Sequence, residues 1–176
     1  MTRTDSRIRD FLCDFVDLKK RKAELYAKAA QECEDQVGRE AFDLLKGEEQ
    51  SALERLQRLE SILVAENRLD PSCAYNPERV SIAEKLISKA KEQLSAGEAC
   101  TKHIEALDLG IELERQAVAM LEKFLKVAES REEEEILSRF LEEDREHLRA
   151  LEDLKFYYSN PEAWFMEKGR TGLDGA

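Results

Sequence analysis

Apolar residues recur every three or four positions along four stretches of this chain, and that spacing is typical of amphipathic α-helices. The stretches predict four long helices. The first ends near residue 33, the second ends near residue 67, the third runs over about 98–128 and the fourth over about 131–158. Ser130 and Glu133 have the spacing of a capping box at the start of the fourth helix. No comparable run alternates as a strand would, so the pattern predicts an all-α fold.

The connections between these helices differ in length. The short turn over residues 34–38 predicts that the first two helices run antiparallel. Residues 68–97 form a long crossover, which opens with two of the three prolines and contains a further helical pattern from Val80 to Leu94. After Pro161, residues 162–166 are predicted to form a short helical turn. We therefore predict one helical domain over residues 1–160 and a C-terminal extension over residues 161–176.

Composition agrees with a helical bundle and argues against several functions. Of the 176 residues, 38% are charged, and only seven are Gly and three are Pro. The net charge of -11 would repel a phosphate backbone, so we expect no nucleic-acid partner. No apolar run approaches the ~20 residues of a membrane span, and the N-terminus does not have the pattern of a signal peptide. The four cysteines form no CxxC motif, which predicts reduced thiols and a cytoplasmic location.

The second half of the chain repeats the first half at a constant offset of 95 residues. Apolar positions coincide over two helices and the turn between them, as Leu45 does with Phe140. Polar positions also coincide: Glu49 with Asp144, Lys19 with Glu114, and Ala52 with His147. Asp144 and His147 are three residues apart and therefore leave the same face of one helix. A carboxylate and an imidazole that point inward together are what helices contribute to a metal site in a bundle.

These residues resemble the ferritin-like di-iron proteins, and more narrowly the helical domain of rubrerythrin. In that family each half supplies a lone Glu, seven residues before an aromatic residue, and then a Glu-x-x-His motif. Glu114 matches the lone Glu of the second half, and Asp144 with His147 matches its paired motif. In the first half, Tyr26 matches the aromatic residue and Glu49 the bridging Glu. The resemblance covers about residues 8–158.

The resemblance implies a ferritin-like antiparallel four-helix bundle, with a long crossover between helices two and three and a short C-terminal helix. It further implies iron or manganese as the metal, peroxide or oxygen reduction as the activity, and a homodimer as the assembly. Electrons would come from a separate donor protein, because the cysteine-bound iron domain of full rubrerythrins is absent from this sequence.

The chain also departs from the family pattern at several positions. Lys19 stands where the first half should carry its lone Glu, and Ala52 stands where it should carry its His. Leu121 replaces the second aromatic residue, and Ala117 replaces a Glu that the family uses in redox exchange. Three carboxylates and one lysine carry a charge of about -2, against -4 for the four carboxylates of a complete site.

Three outcomes remain open at this point. One ion is held by Glu114, Asp144 and His147, with Glu49 as a further ligand, either for catalysis or as a weak metal buffer. Alternatively no ion binds, Lys19 acts as counter-ion to the core carboxylates, and the protein is a non-catalytic scaffold or interaction protein. The third outcome, a dinuclear centre, is disfavoured by a cation among its ligands, so we expect one ion or none.

No other catalytic arrangement is visible in the sequence. His103 has no carboxylate at the matched spacing and is expected to face solvent near the start of the third helix. The two histidines and four cysteines share no motif, and no glycine-rich phosphate loop is present. A metal site is therefore the only route to an enzymatic activity that the sequence offers.

Overall fold

The computed structural model describes residues 3–79, 81–93 and 101–170 of the chain. These residues form six α-helices and one 3₁₀ turn: α1 Arg3–Glu32, α2 Gln36–Glu66, the 3₁₀ turn Pro71–Ala74, α3 Ile82–Gln93, α4 Thr101–Leu125, α5 Arg131–Ser159 and α6 Pro161–Arg170. The described ranges contain no strand, which confirms the prediction of an all-α protein.

Local capping explains where the long helices begin and end. The Asp35 side chain accepts a hydrogen bond from the backbone N–H of Gly38 at 3.0 Å, which starts α2 three residues after α1 ends. Asn67 ends α2 in a left-handed conformation with φ of 51°. Ser130 accepts from the backbone N–H of Glu133 at 3.1 Å, which confirms the predicted N-terminus of α5.

Two apolar clusters stabilise the packing of α1, α2, α4 and α5, and all four helices contribute to both. The first cluster contains Phe15 and Phe140 and combines early residues of α1 with late residues of α2. The second contains Tyr26 and Leu151 and combines late residues of α1 with early residues of α2. Helices α1 and α2 therefore run antiparallel. The polar positions 19, 22, 49, 144 and 147 fall between the two clusters along their helices. Glu114 lies near the same junction on α4, between Ile111 of the second cluster and Ala117 of the first.

The described parts of the segment between α2 and α4 pack against two of these helices. Both the 3₁₀ turn and α3 contact α2 and α5. Arg55 of α2 fixes the turn, because its guanidinium donates to the Ala74 carbonyl at 2.8 Å and forms two bonds to the Glu143 carboxylate at 3.0 and 2.7 Å. All these groups are buried, and a buried charge is costly unless it has a partner of opposite charge. Arg55 and Glu143 meet this requirement for each other.

Two predicted boundaries concern α3 and α4. Helix α3, Ile82–Gln93, lies within the helical pattern over 80–94. Residues 80 and 94–100, which include the predicted start of the third long helix, lie outside the described residues. The prediction that this helix continues to residue 128 is wrong. Backbone bonds of the i to i-3 type, from Val127 to Phe124 and from Ala128 to Leu125, tighten the chain after α4 ends at Leu125.

The predicted turn after Pro161 is a full helix, α6. Its Trp164 is buried in the second cluster, with ring centroids 5.1 Å from Tyr157 and 5.2 Å from Phe165. This side chain therefore packs against α5. Among the described helices, none combines the length and the apolar character needed to cross a membrane.

Candidate functional site

Four residues singled out in the sequence meet at the centre of the protein. Glu49 comes from α2, Glu114 from α4, and Asp144 and His147 from α5, and all four are buried. One potential ligand atom from each lies within 4.8 Å of those of the other three. The predicted convergence of three carboxylates and one imidazole on a single point is therefore present.

Lys19 of α1 lies among these carboxylates. Its ammonium nitrogen, Nζ, is 2.5 Å from Oδ1 of Asp144 and 3.1 Å from Oε2 of Glu49. The side chain is fully buried, and Nζ also lies 5.2 Å from the ring centroid of Phe15. The other departure from the family pattern, Ala52, is buried in the first apolar cluster and offers no ligand.

A second lysine, Lys22, contacts every carboxylate of the site. Its Nζ lies 2.7 Å from Oε2 of Glu114, 2.8 Å from Oε1 of Glu49 and 2.9 Å from Oδ1 of Asp144. An ammonium has three donors, and here three carboxylates surround it. Sequence reasoning missed this residue, although a signal existed: Lys22 follows Lys19 by three positions and so shares its helix face.

His147 and Tyr26 complete the cluster. The Nδ1 atom of His147 is 3.0 Å from Oε1 of Glu49 and 3.7 Å from both Oε1 of Glu114 and Oδ1 of Asp144. The Tyr26 hydroxyl donates to Oε1 of Glu114 at 2.5 Å. We refer to Lys19, Lys22, Glu49, Glu114, Asp144 and His147 as the charge cluster, with Tyr26 as its neutral donor.

The electrostatic environment fixes the charge state of the basic groups. Burial alone would lower the pKa of Lys22, but Asp144, Glu114 and Glu49 together raise it well above its ordinary value. Burial would likewise lower the pKa of His147, yet its interactions with Glu114 and Glu49 raise it from 6.5 to about 10. Both groups therefore carry a positive charge at neutral pH.

The acidic groups respond in the opposite sense. Burial would raise the pKa of Glu49, but Lys19 and Lys22 lower it well below its ordinary value. Asp144 has a lowered pKa for the same reasons, with burial again outweighed by the two lysines. These carboxylates therefore remain ionised at neutral pH.

The charge cluster is consequently balanced. Three carboxylates face two ammonium groups and one imidazolium, so the net charge is zero rather than the -2 obtained when Lys22 and the protonation of His147 are left out. Carboxylate oxygen and imidazole nitrogen are ligands that iron and manganese accept. A divalent ion would nevertheless have to displace an ammonium group to reach the same oxygens, so the complete set of side chains does not fit a dinuclear centre.

A separate polar contact lies at the turn between α1 and α2. His103 of α4 is only 2% exposed, so the expectation that it faces solvent is wrong. Its Nε2 is 3.2 Å from the backbone carbonyl oxygen of Glu32, and its Nδ1 is 3.7 Å from Sγ of Cys33. The tertiary fold therefore brings together a cysteine and a histidine that are 70 residues apart and share no sequence motif.

Comparisons with known proteins do not identify a family for this chain: no family model, curated protein or solved structure matches it. The resemblance to ferritin-like proteins therefore remains a prediction from the residues quoted above.

Proposed function

We propose that this protein is a non-catalytic helical scaffold, in which lysine side chains replace metal ions as the counter-charge of the core carboxylates. The observation that carries the proposal is the position of Lys22, whose ammonium lies 2.7–2.9 Å from all three carboxylates. Lys19 adds a second ammonium and His147 an imidazolium, so the cluster requires no further cation.

The energetics of a buried ion network support this proposal. Removing one partner of a buried ion pair costs about 3–5 kcal/mol, because the remaining charge stays in a medium of low dielectric constant. A divalent ion that displaced Lys22 would leave an ammonium group without its carboxylates, and that cost would oppose binding. The network is therefore costly to break one charge at a time, and it disfavours the metal that redox chemistry would need.

A ferritin-like four-helix bundle with one long crossover is part of the same proposal. Its support is the antiparallel packing of α1 with α2, the long segment between α2 and α4, and the meeting of Glu49 with Asp144, which the 95-residue offset relates. The proposal also includes a cytoplasmic location, which rests on the cysteine pattern, and a homodimer, which rests on the resemblance to ferritin-like proteins.

A second candidate is the binding of one iron or manganese ion. It is favoured by the four potential ligand atoms within 4.8 Å of one another. Oδ2 of Asp144 is in addition buried without a hydrogen-bond partner, which marks an acceptor that a cation could use. On this view Glu49, Glu114, Asp144 and His147 hold the ion, and any oxygen or peroxide reduction would need an external electron donor.

Metal analysis after loading with Fe²⁺ or Mn²⁺ and removal of unbound ions separates the two candidates. We expect the wild-type protein to retain only substoichiometric metal and to melt at the same temperature with or without a chelator. Stoichiometric metal in the wild type, lost in His147→Ala, would overturn the proposal and support the second candidate.

A gain-of-function variant supplies the matched control. Lys19→Glu with Ala52→His restores the two family ligands but leaves Lys22 in contact with the carboxylates. We expect this double variant to bind metal poorly, whereas the triple variant that adds Lys22→Ala binds it stoichiometrically. Equal metal content in the two variants would contradict the role assigned to Lys22.

A further inference from the structure

The Cys33–His103 pair is a buried thiol–imidazole contact outside the charge cluster. The Sγ atom of Cys33 lies 3.7 Å from Nδ1 of His103, within the range of a hydrogen bond to sulfur. Each side chain is 2% exposed. A thiol held against an imidazole in this way can pass its proton to the nitrogen, which is the usual means of activating a cysteine nucleophile.

The other side of the imidazole ring determines which nitrogen accepts. Nε2 of His103 is 3.2 Å from the backbone carbonyl oxygen of Glu32, and a carbonyl can only accept a hydrogen bond. Nε2 must therefore carry the hydrogen, which leaves the lone pair of Nδ1 facing Cys33. Cys33 is thus placed as a nucleophile, His103 as its base and the Glu32 carbonyl as the group that orients the ring, and general-base activation requires these three roles.

The surroundings of the sulfur also bear on its charge. A Cβ atom placed on Gly38 would lie 2.6 Å from Sγ, so the sulfur rests against the first turn of α2, whose N-terminal end favours negative charge. Asp35 opposes a thiolate in two ways: its backbone carbonyl accepts a hydrogen bond from Sγ at 3.5 Å, and its carboxylate is negative, although that carboxylate is already engaged by the Gly38 N–H and the Tyr158 hydroxyl. A thiolate paired with the imidazolium of His103 has no net charge, which reduces the cost of its burial.

We propose that Cys33 is a reactive thiol for a small neutral oxidant, with His103 as its proton acceptor and donor, and that the oxidant class is hydrogen peroxide. The thiol proton moves to Nδ1, and the thiolate attacks one peroxide oxygen. The O–O bond breaks, Cys33 is oxidised to the sulfenic acid, and the departing hydroxide takes the proton back from His103 as water. One thiol and one peroxide thus give one sulfenic acid and one water.

Burial defines the selectivity expected of this site. A peroxide molecule is neutral and close to water in size, whereas iodoacetamide is larger and needs a more open approach to the sulfur. We therefore expect Cys33 in the folded protein to react with peroxide and to resist iodoacetamide. The exposed Cys13 serves as the internal reference for alkylation of an accessible thiol.

Site-resolved mass spectrometry of the full chain tests this inference. Folded protein is treated with hydrogen peroxide for set times, the peroxide is removed with catalase, and the protein is then unfolded in the presence of dimedone, which captures sulfenic acid. The label on each cysteine is followed against the time of exposure to peroxide. Cys73 is the matched control, because it is also buried but has a pKa that burial raises and lacks a neighbouring imidazole among the described residues. We expect Cys33 to be labelled at least about tenfold faster than Cys73, in line with general-base catalysis.

The variant His103→Asn removes the proton acceptor but keeps a side chain that can donate to the Glu32 carbonyl. We expect at least about a tenfold slower labelling of Cys33, with Cys73 unchanged. Equal rates at Cys33 and Cys73 in the wild type would overturn the inference without any need for a variant. An unchanged Cys33 rate in a folded His103→Asn protein would overturn the role of the imidazole. Neither residue belongs to the charge cluster, so this test and the metal test succeed or fail independently.

Discussion

Replacing Lys22 by Met should destabilise this protein more than any ordinary surface change. Met retains an unbranched apolar side chain of about the length of the lysine's aliphatic part but removes the ammonium that contacts Glu49, Glu114 and Asp144 at 2.7–2.9 Å. The charge cluster would then carry a net charge of -1 in a site where Lys22 is fully buried. The loss expected for such a buried group is about 3–5 kcal/mol in the free energy of unfolding.

Urea unfolding followed by circular dichroism at pH 7 measures this loss, provided that the denaturant slope is unchanged. Lys20→Met is the matched control on the same helix. Its side chain is 57% exposed and its ammonium lies 3.8 Å from Asp17, so we expect a change within about 0.5 kcal/mol.

A double-mutant cycle identifies the cause of the loss. In Lys22→Met with Glu114→Gln, one positive and one negative charge disappear together and the cluster is neutral again. We expect the double variant to lose less unfolding free energy than the two single variants lose together, by about 2 kcal/mol or more. A Lys22→Met variant that loses less than about 1 kcal/mol, or strictly additive losses in the cycle, would refute the reasoning.

Three further predictions follow from particular contacts. The pKa of His147 rises from 6.5 to about 10 on folding, so its protonation contributes stability that is fully present below pH 6.5 and lost as pH rises through about 10. At about 1.4 kcal/mol per pKa unit this contribution is about 5 kcal/mol. His147→Gln should therefore flatten the alkaline limb of a curve of unfolding free energy against pH. Gly47→Ala should raise the unfolding free energy by about 0.5–1 kcal/mol, because nothing lies within 4 Å of its added Cβ. Gly38→Ala should lower it by about 1–3 kcal/mol, because the added Cβ would lie 2.5 Å from the Tyr158 hydroxyl and 2.6 Å from Sγ of Cys33. The urea midpoints of the two variants should therefore move in opposite directions. Arg55→Met should cost about 3–5 kcal/mol in the same assay, because it leaves the buried Glu143 carboxylate without its partner, and a neutral result would contradict the pairing.

Most of the correct sequence predictions came from local patterns, namely apolar spacing and helix capping. The three-to-four spacing of apolar residues located the long helices, and the side chains of Asp35 and Ser130 begin α2 and α5 as their capping propensity suggests. The 95-residue offset selected Glu49 and Asp144 as residues that share a site. These inferences succeed because helical periodicity and capping depend on neighbours within a few residues.

The features that sequence reasoning missed depend on contacts between distant segments. A lysine at the position of Lys22 is ordinarily expected to reach solvent, and its burial requires carboxylates that lie 27 to 122 residues away in the chain. The burial of His103 could not be read from its own helix, because its partners, Cys33 and the Glu32 carbonyl, lie at the C-terminal end of α1. In both cases the environment, and not the residue's own pattern, decides the burial.

Charge balance links the stability of this core to its metal affinity. Lys19→Glu changes the charge of the cluster by two units, from zero to -2 with His147 protonated, and a buried excess of that size is unfavourable unless a cation enters or a carboxylate takes up a proton. The variant should therefore be unstable, and it should regain stability as Mn²⁺ is added only when Lys22→Ala also frees the carboxylates, since a ligand that binds only the folded state raises the unfolding free energy with its concentration. The wild-type melting temperature should not respond to the same titration, because its lysines already neutralise the carboxylates. A Mn²⁺ dependence of equal size in both proteins would mean that the ion binds elsewhere, and that the lysines are not the counter-charge of this core.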